Sequence, residues 1–197
     1  MLKRKRKKPL EMPELSQLKA ELKRERYQRR YGSVLRSTIY SLVVVAACAI
    51  LVAVLWMPVL RIYGNSMTPT VSAGEIVVSW KGSSFAQGDL IAMYYANKLL
   101  VKRVIAGPGE WVDIDEDGNV FVNEKPLDEP YLVEKALGDC DIELPFQVPE
   151  DRYFVMGDHR STSADSRLAS IGPIPAEDVV GRIIFRVWPV ERFGPLK

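Results

Sequence analysis

Two short segments, 36 residues apart, hold side chains suited to nucleophilic chemistry: Gly64-Asn65-Ser66-Met67-Thr68-Pro69-Thr70 and Leu100-Val101-Lys102-Arg103-Val104. A serine hydroxyl is a weak nucleophile until a nearby base removes its proton. Histidine is the usual base, and the chain has one, His159; a Ser-His-Asp triad would have to use it. Lysine can take the same part if its pKa falls well below the reference of about 10.4. Burial among apolar groups does this by disfavouring the charged form. A catalytic lysine works at roughly 7–8, a shift that costs about 3–5 kcal/mol. Its enclosure must therefore be almost wholly apolar. Ser66 and Lys102 are candidates for a serine/lysine hydrolytic dyad.

The local patterns fit those parts. On a strand Lys102 shares a face with Leu100 and Val104, while Arg103 points the other way with Val101 and Ile105. One of the two basic residues faces inward, and the alternation selects neither. Ser66 sits between Gly64-Asn65 and Thr68-Pro69. Such a turn exposes the serine and leaves backbone N–H groups free to act as an oxyanion hole, usually a large term in acyl transfer. A third segment, Gly157 to Arg167, is dense in polar groups and follows an apolar strand. Asp158, Arg160, Asp165 and Arg167 can form ion pairs that stiffen this loop, and Ser163 can hydrogen-bond a nearby amine.

These segments follow the one long apolar run. No charged residue occurs over the 24 positions between Arg36 and Arg61. A membrane crossing needs roughly 20 apolar residues, so a transmembrane helix is predicted over 37–60, with Tyr40, Trp56 and Tyr63 as interfacial anchors. A buried core helix is the alternative, but the 137 residues that follow could hardly enclose it. A cleaved secretory leader fits poorly, because its basic region would be 36 residues long. Val45-Ala46-Ala47-Cys48 resembles a lipoprotein cleavage box, yet the apolar run continues beyond Cys48. Residues 1–36 carry 13 Lys/Arg against 4 Asp/Glu, and residues 61–197 carry 14 against 21. The basic side is expected in the cytoplasm, with the acidic domain outside. Residues 1–8 read as a basic tail drawn to anionic headgroups, and residues 14–31 as a helix leading into the span. A topogenic role accounts for this charge without invoking nucleic acid.

Residues 61–197 alternate short apolar runs with Gly or Pro punctuation. Strands are expected at Glu75–Trp80, Leu90–Tyr95, Leu99–Ala106, Trp111–Asp115, Val120–Val122, Arg152–Met156 and Val179–Val187, with a turn at Asn97-Lys98. Glu116-Asp117-Gly118-Asn119 is a hairpin signal. Residues 124–151 show little pattern and read as a loop or insertion. The predicted fold class is mainly β: a compact antiparallel β domain anchored by one N-terminal transmembrane helix. Cys48 falls in the span and Cys140 in the outer domain, so no disulfide framework is expected. One histidine and one outer cysteine form no metal-ligand cluster, and no glycine-rich phosphate loop occurs. Neither a metal nor another cofactor is expected.

Together the three segments resemble those of bacterial type I signal peptidases. Ser66-Met67-Thr68-Pro69-Thr70 is similar to that family's nucleophile box. Val101-Lys102-Arg103-Val104-Ile105-Ala106-Gly107-Pro108-Gly109-Glu110 is similar to its general-base box. Gly157 to Arg167 is similar to its third box, and Gly88-Asp89 to a shorter structural one. The resemblance implies Ser66 as nucleophile, Lys102 as general base and Ser163 as the group orienting the lysine, with Asp165 and Arg167 in support. It implies the Ser66 N–H as one oxyanion donor. Some members supply a second donor from a serine two residues earlier. Gly64 stands there and has no hydroxyl, which resembles Gram-positive, single-span members. His159 stands where asparagine is common, and Glu110 where aspartate is common. Endoplasmic-reticulum members use histidine as base, so Lys102 indicates the bacterial type.

The expected activity is a membrane-bound serine endopeptidase that removes N-terminal signal peptides from exported preproteins after small, A-x-A-like residues. Its partners would be those preproteins and the lipid bilayer. Five residue steps from Arg61 reach at most about 17 Å, which keeps Ser66 near the membrane surface. A signal peptide presents its small-residue site just past its apolar core, at a similar depth. Met67 and Ile76 are candidates for lining the narrow pockets such residues need. Three other readings stay open: a Ser-His-Asp esterase using His159, an anchored binding or assembly module, and a self-cleaving protease of the related repressor type.

Overall fold

Pro58 ends the helix that the apolar run builds. In the computed structural model, which describes residues 14–196 except Ser83 and Asn97, helix α1 runs unbroken from Leu15 to Trp56. It is one helix of 42 residues, about 63 Å long at 1.5 Å per residue. The segment expected over 14–31 and the apolar span are therefore continuous through Gly32. One 18-residue window reaches a mean hydropathy of 2.7, long and apolar enough to cross a membrane. The helix was expected to reach Leu60 but stops four residues earlier. Proline disfavours helical backbone in the residue before it and lacks an N–H, and a strand starts at Val59. The basic tail expected over residues 1–8 lies outside the described residues.

Among the described residues after α1, the regular structure is β apart from two three-residue 3-10 turns, Ala176–Asp178 and Val190–Arg192. In chain order the strands are β1 (Val59–Arg61), β2 (Ile76–Trp80), β3 (Leu90–Tyr95), β4 (Lys98–Ala106), β5 (Trp111–Ile114), β6 (Val120–Val122), β7 (Lys125–Pro126), β8 (Phe146–Gln147), β9 (Arg152–Met156), β10 (Ile174–Pro175), β11 (Val179–Trp188) and β12 (Gly194–Pro195). The larger sheet has the order β1-β2-β11-β3-β4-β9-β10, with β12 on β11; the smaller is β7-β6-β5-β8. Every strand pair is antiparallel. The Asp117-Gly118 hairpin forms as expected, with Gly118 at φ +79° and Val112 opposite Val122. Of the turn expected at Asn97-Lys98, Asn97 lies outside the described residues.

The middle of the larger sheet is covered on both faces, and this shapes the site. Along β3, Leu90 and Ala92 pack with Ile62, Met67 and Val77, whereas Ile91 and Met93 pack with Val104, Tyr153 and Val155. Successive residues of a strand point to opposite faces, so two apolar layers enclose β3 and its neighbour β4. The last five residues of β4, Lys102 to Ala106, are all buried. Lys102 and Arg103 are each 2% exposed. The expectation that only one of this pair faces inward is corrected: each face of β4 lies under its own layer.

Residues 124–151, expected as a loop or insertion, are tied down more firmly than their sequence suggests. They supply β7 and β8 to the smaller sheet. Leu127, Leu137, Ile142 and Leu144 pack against the core between the two sheets. The apolar residues are spaced irregularly, so no periodicity marks the packing.

Candidate active site

Lys102 is buried, but its enclosure is less apolar than expected: the charges of Asp165, Arg167 and Asp158 act on its amine, which keeps one hydrogen bond. Its Nζ donates to Ser163 Oγ at 2.7 Å. Burial pushes the amine down from 10.5 to about 8; the Asp165 carboxylate pulls it back up and the Arg167 guanidinium pushes it down again. That places the lysine at the upper edge of the range useful to a general base near neutral pH. Among the described residues, Nζ is hydrogen-bonded to Ser163 and not to Ser66. Catalytic hydrogen bonds in unliganded enzymes are often long and tighten only with substrate.

Ser66 is half-buried in a turn with Gly64 at φ +84°, a left-handed backbone that glycine adopts without strain. The turn is closed by Thr68 N–H donating to Asn65 O at 3.1 Å. Among the described residues the Ser66 N–H has no backbone acceptor, so it is available as a donor to a reacting carbonyl. The Ser66 carbonyl accepts from the His159 N–H at 3.0 Å. A Cβ built on Gly157 would lie less than 3.0 Å from both Ser66 O and Ser163 Oγ. The turn and the lysine's partner therefore close around the same glycine.

The polar loop after β9 is rigid because its charges are paired. Asp165 accepts from Arg167 Nε at 2.8 Å, from Arg167 Nη2 at 2.9 Å and from the Gly157 N–H at 2.9 Å. Burial alone would push the Asp165 carboxyl up, but these donors and the Ser163 hydroxyl hold it below the usual carboxylate range. Arg167 also donates to the Arg160 and Leu137 carbonyls. Arg160 pairs with Glu129 at 2.5 Å. Asp158 takes a two-pronged bond from Arg103 at 2.9 and 2.8 Å and a further one from Thr70 Oγ1 at 2.5 Å. Removing one partner of such buried pairs costs about 3–5 kcal/mol, because the other charge is left stranded.

A family model described as "Signal peptidase, peptidase S26" matches residues 35–188, taking in the helix's apolar part and all three segments of the site. The chain belongs to the signal peptidase family. It is 37% identical over 154 residues to Signal peptidase IB of Staphylococcus aureus (strain COL), covering 67% of this chain and 78% of that one. To Signal peptidase I of Streptococcus pneumoniae serotype 4 (strain ATCC BAA-334 / TIGR4) it is 30% identical over 173 residues, covering 68% and 83%. To Thylakoidal processing peptidase 1, chloroplastic, of Arabidopsis thaliana it is 33% identical over 142 residues, covering 64% of this chain and 40% of the plant protein. The chain thus spans most of the bacterial relatives but well under half of the plant one.

Within this signal peptidase family member, Ser66, Lys102, Ser163, Asp165 and Arg167 lie in one neighbourhood, linked through Gly157 and the Ser163 hydroxyl. Gly64 is exposed at the turn. The candidate pocket residues differ. Met67 is 2% exposed and packs with Val71 and Val77, so its side chain belongs to the core and not to an open pocket wall. Ile76 is half-buried at the start of β2. Residues that sequence reasoning did not assign to the site include Thr70, Arg103 and Glu129. Tyr131 is another, its ring stacked 3.8 Å from the Arg103 guanidinium carbon. Thr70 and Arg103 stand in the same short segments as Ser66 and Lys102, which was a signal, whereas Glu129 and Tyr131 carried none. Among the described residues no group of three or more His, Cys, Asp or Glu is placed to hold a metal.

Gly157 is the sharpest steric test of this geometry. Gly157→Ala should lower kcat/KM by about 10²-fold, the scale of a misplacement near 1 Å. Ser66 O and Ser163 Oγ cannot both keep their places against the new methyl group. Initial rates of preprotein cleavage, with circular dichroism to verify folding, measure the effect; wild-type rates would exclude the close approach.

Proposed function

We propose that this chain is a membrane-bound serine endopeptidase that removes N-terminal signal peptides from exported preproteins after small, A-x-A-like residues. Ser66 is the nucleophile and Lys102 the general base. The observation that carries this reading is the buried Lys102 amine, lowered to about 8 and held by Ser163 beside the Ser66 turn. The neutral amine takes the Ser66 proton as Oγ attacks the scissile carbonyl carbon. The resulting oxyanion is met by the Ser66 N–H. Collapse breaks the C–N bond, and the ammonium of Lys102 returns its proton to the leaving amine. Water, deprotonated by the same lysine, then hydrolyses the ester and regenerates Ser66. Ser163 fixes the amine's direction, and Asp165 with Arg167 fixes Ser163's loop.

Preproteins bearing signal peptides are the substrates, and the bilayer is the second partner. Residues 1–36 form the cytoplasmic segment. The apolar part of α1 forms the span from residue 37 to its end at Trp56, and the β-rich peptidase domain lies outside. The excess of Lys/Arg ahead of the span supports this orientation. The test is to incubate the detergent-solubilised chain with a preprotein carrying an A-x-A site and to map the products by mass spectrometry. A single cut directly after the second small residue is expected; cuts elsewhere, or none, would overturn the assignment.

The esterase reading using His159 loses support from its setting. The side chain is exposed, and it is the residue's backbone N–H that meets Ser66. His159→Asn should retain kcat/KM within about threefold, since asparagine keeps the same N–H. A loss near 10³-fold would restore the triad.

A further inference from the structure

The loop from Ile62 to Glu75 that carries Ser66 is closed at its neck by backbone bonds. The Ile62 N–H donates to Glu75 O at 2.9 Å, and the Gly74 N–H to Ile62 O at 2.9 Å. Glu75 itself is buried at this neck, its side chain 5% exposed. A buried carboxylate needs partners, and both of its partners come from the far end of the chain. Arg186, on β11, lies 2.7 Å away, and Arg192, in the short turn Val190–Arg192, lies 2.8 Å away.

Both arginines then reach across the loop. Arg186 donates to the Thr70 carbonyl, and Arg192 donates to the Pro69 carbonyl at 3.1 Å. A guanidinium suits this task because it presents several donors in one rigid plane. One nitrogen meets Glu75 at the neck while another meets a carbonyl three or four residues past Ser66. The opposite side of Thr70 is already tied, through its hydroxyl, to Asp158. The serine turn is thus held from two sides by contacts that never touch the serine itself.

We propose that Glu75, Arg186 and Arg192 form a cross-brace through which β11 and the Val190–Arg192 turn position Ser66 for attack. The inference rests on the reading of Ser66 as nucleophile. Arg192 is the residue on which it turns. Its side chain is 45% exposed; without it Glu75 keeps the ion contact with Arg186 but loses the hydrogen bond that Arg192 donates to its Oε1, so the folded fraction is measured beside the rate.

The test uses the full chain in detergent, a preprotein with an A-x-A site, and the variants Arg192→Ala, Arg192→Lys and Ser66→Ala. Arg192→Ala should lower kcat about tenfold, short of the 10²-fold cost of a full misplacement, with KM held within about twofold. The pH inflection near 8 should stay where it is, because Lys102 lies outside the brace. Arg192→Lys should recover part of the loss. An unchanged kcat in Arg192→Ala, or a loss that vanishes once rates are corrected for the folded fraction, would overturn the brace. If Ser66→Ala still cleaves, the nucleophile assignment fails and the brace with it. If Ser66→Ala is inert while Arg192→Ala keeps full kcat, the brace alone fails.

Discussion

Ser66→Ala and Lys102→Ala should each reduce cleavage of an A-x-A preprotein at least about 10³-fold, while a double variant should lose little more. The near-equality follows from the roles proposed for the two residues. Without the hydroxyl there is no attacking atom; without the amine the hydroxyl keeps its proton. Because both residues act in one step, their effects do not multiply. The wild-type pH profile should carry the lysine's signature. With the amine lowered to about 8, kcat/KM should rise about tenfold per pH unit below that value and level off above it. A profile flat from pH 6 to 9, or substantial activity in Lys102→Ala, would remove Lys102 from the mechanism.

Lys102→Met should stabilise the protein while inactivating it. The wild-type amine is depressed from 10.5 to about 8 by burial, so the folded state holds its proton less tightly than the unfolded state does. Stability therefore rises with pH between those two values. Below about 8 the full penalty applies, roughly 3 kcal/mol at 1.36 kcal/mol per unit. Methionine has nearly the lysine's shape without its charge. It leaves the Ser163 hydroxyl short of a partner, at about 1 kcal/mol. The net gain is about 2 kcal/mol at pH 7 and should shrink to near zero by about pH 10. Parallel denaturant melts of the two proteins at both pH values measure it. A variant no more stable than wild type at pH 7 would mean that the amine is better solvated than its burial implies. Active sites commonly hold such a deficit, because the feature that costs stability is the one the chemistry uses.

The residues proposed to do the chemistry stood out in the sequence, and most of those that hold them in place did not. Ser66, Lys102 and Ser163 stand out because a serine in a Gly/Pro turn, a lysine in an apolar strand and a dense polar loop each have a local reason to be noticed. Thr70 and Asp158 lie 88 residues apart, and Pro69 and Arg192 lie 123 apart. No periodicity marks such pairs; only the folded sheet brings them together. The double burial of Lys102 and Arg103 was hidden for a related reason. Alternation says that neighbours face opposite ways, not that both sides are covered. Glu129, Tyr131 and Leu137 were missed because they lie in residues 124–151, whose apolar side chains follow neither helical nor strand spacing. The early end of α1 was readable from Pro58, but hydropathy alone carried the expected span past it.

One consequence of the doubly covered β4 concerns how this peptidase comes to be active at all. Lys102 faces Ser163 on one side of the strand, and Arg103 faces Asp158 on the other. A slip of β4 by a single residue would exchange them, because strand side chains repeat with a period of two. The amine would then meet the carboxylate and stay charged. The guanidinium would face the serine, where it cannot act as a base because it does not lose its proton. With Lys102 as the proposed base, only one register of this strand yields a working protease. A chain still searching for its pairing, with exposed polypeptide close at hand, stays chemically silent until the sheet is correctly aligned.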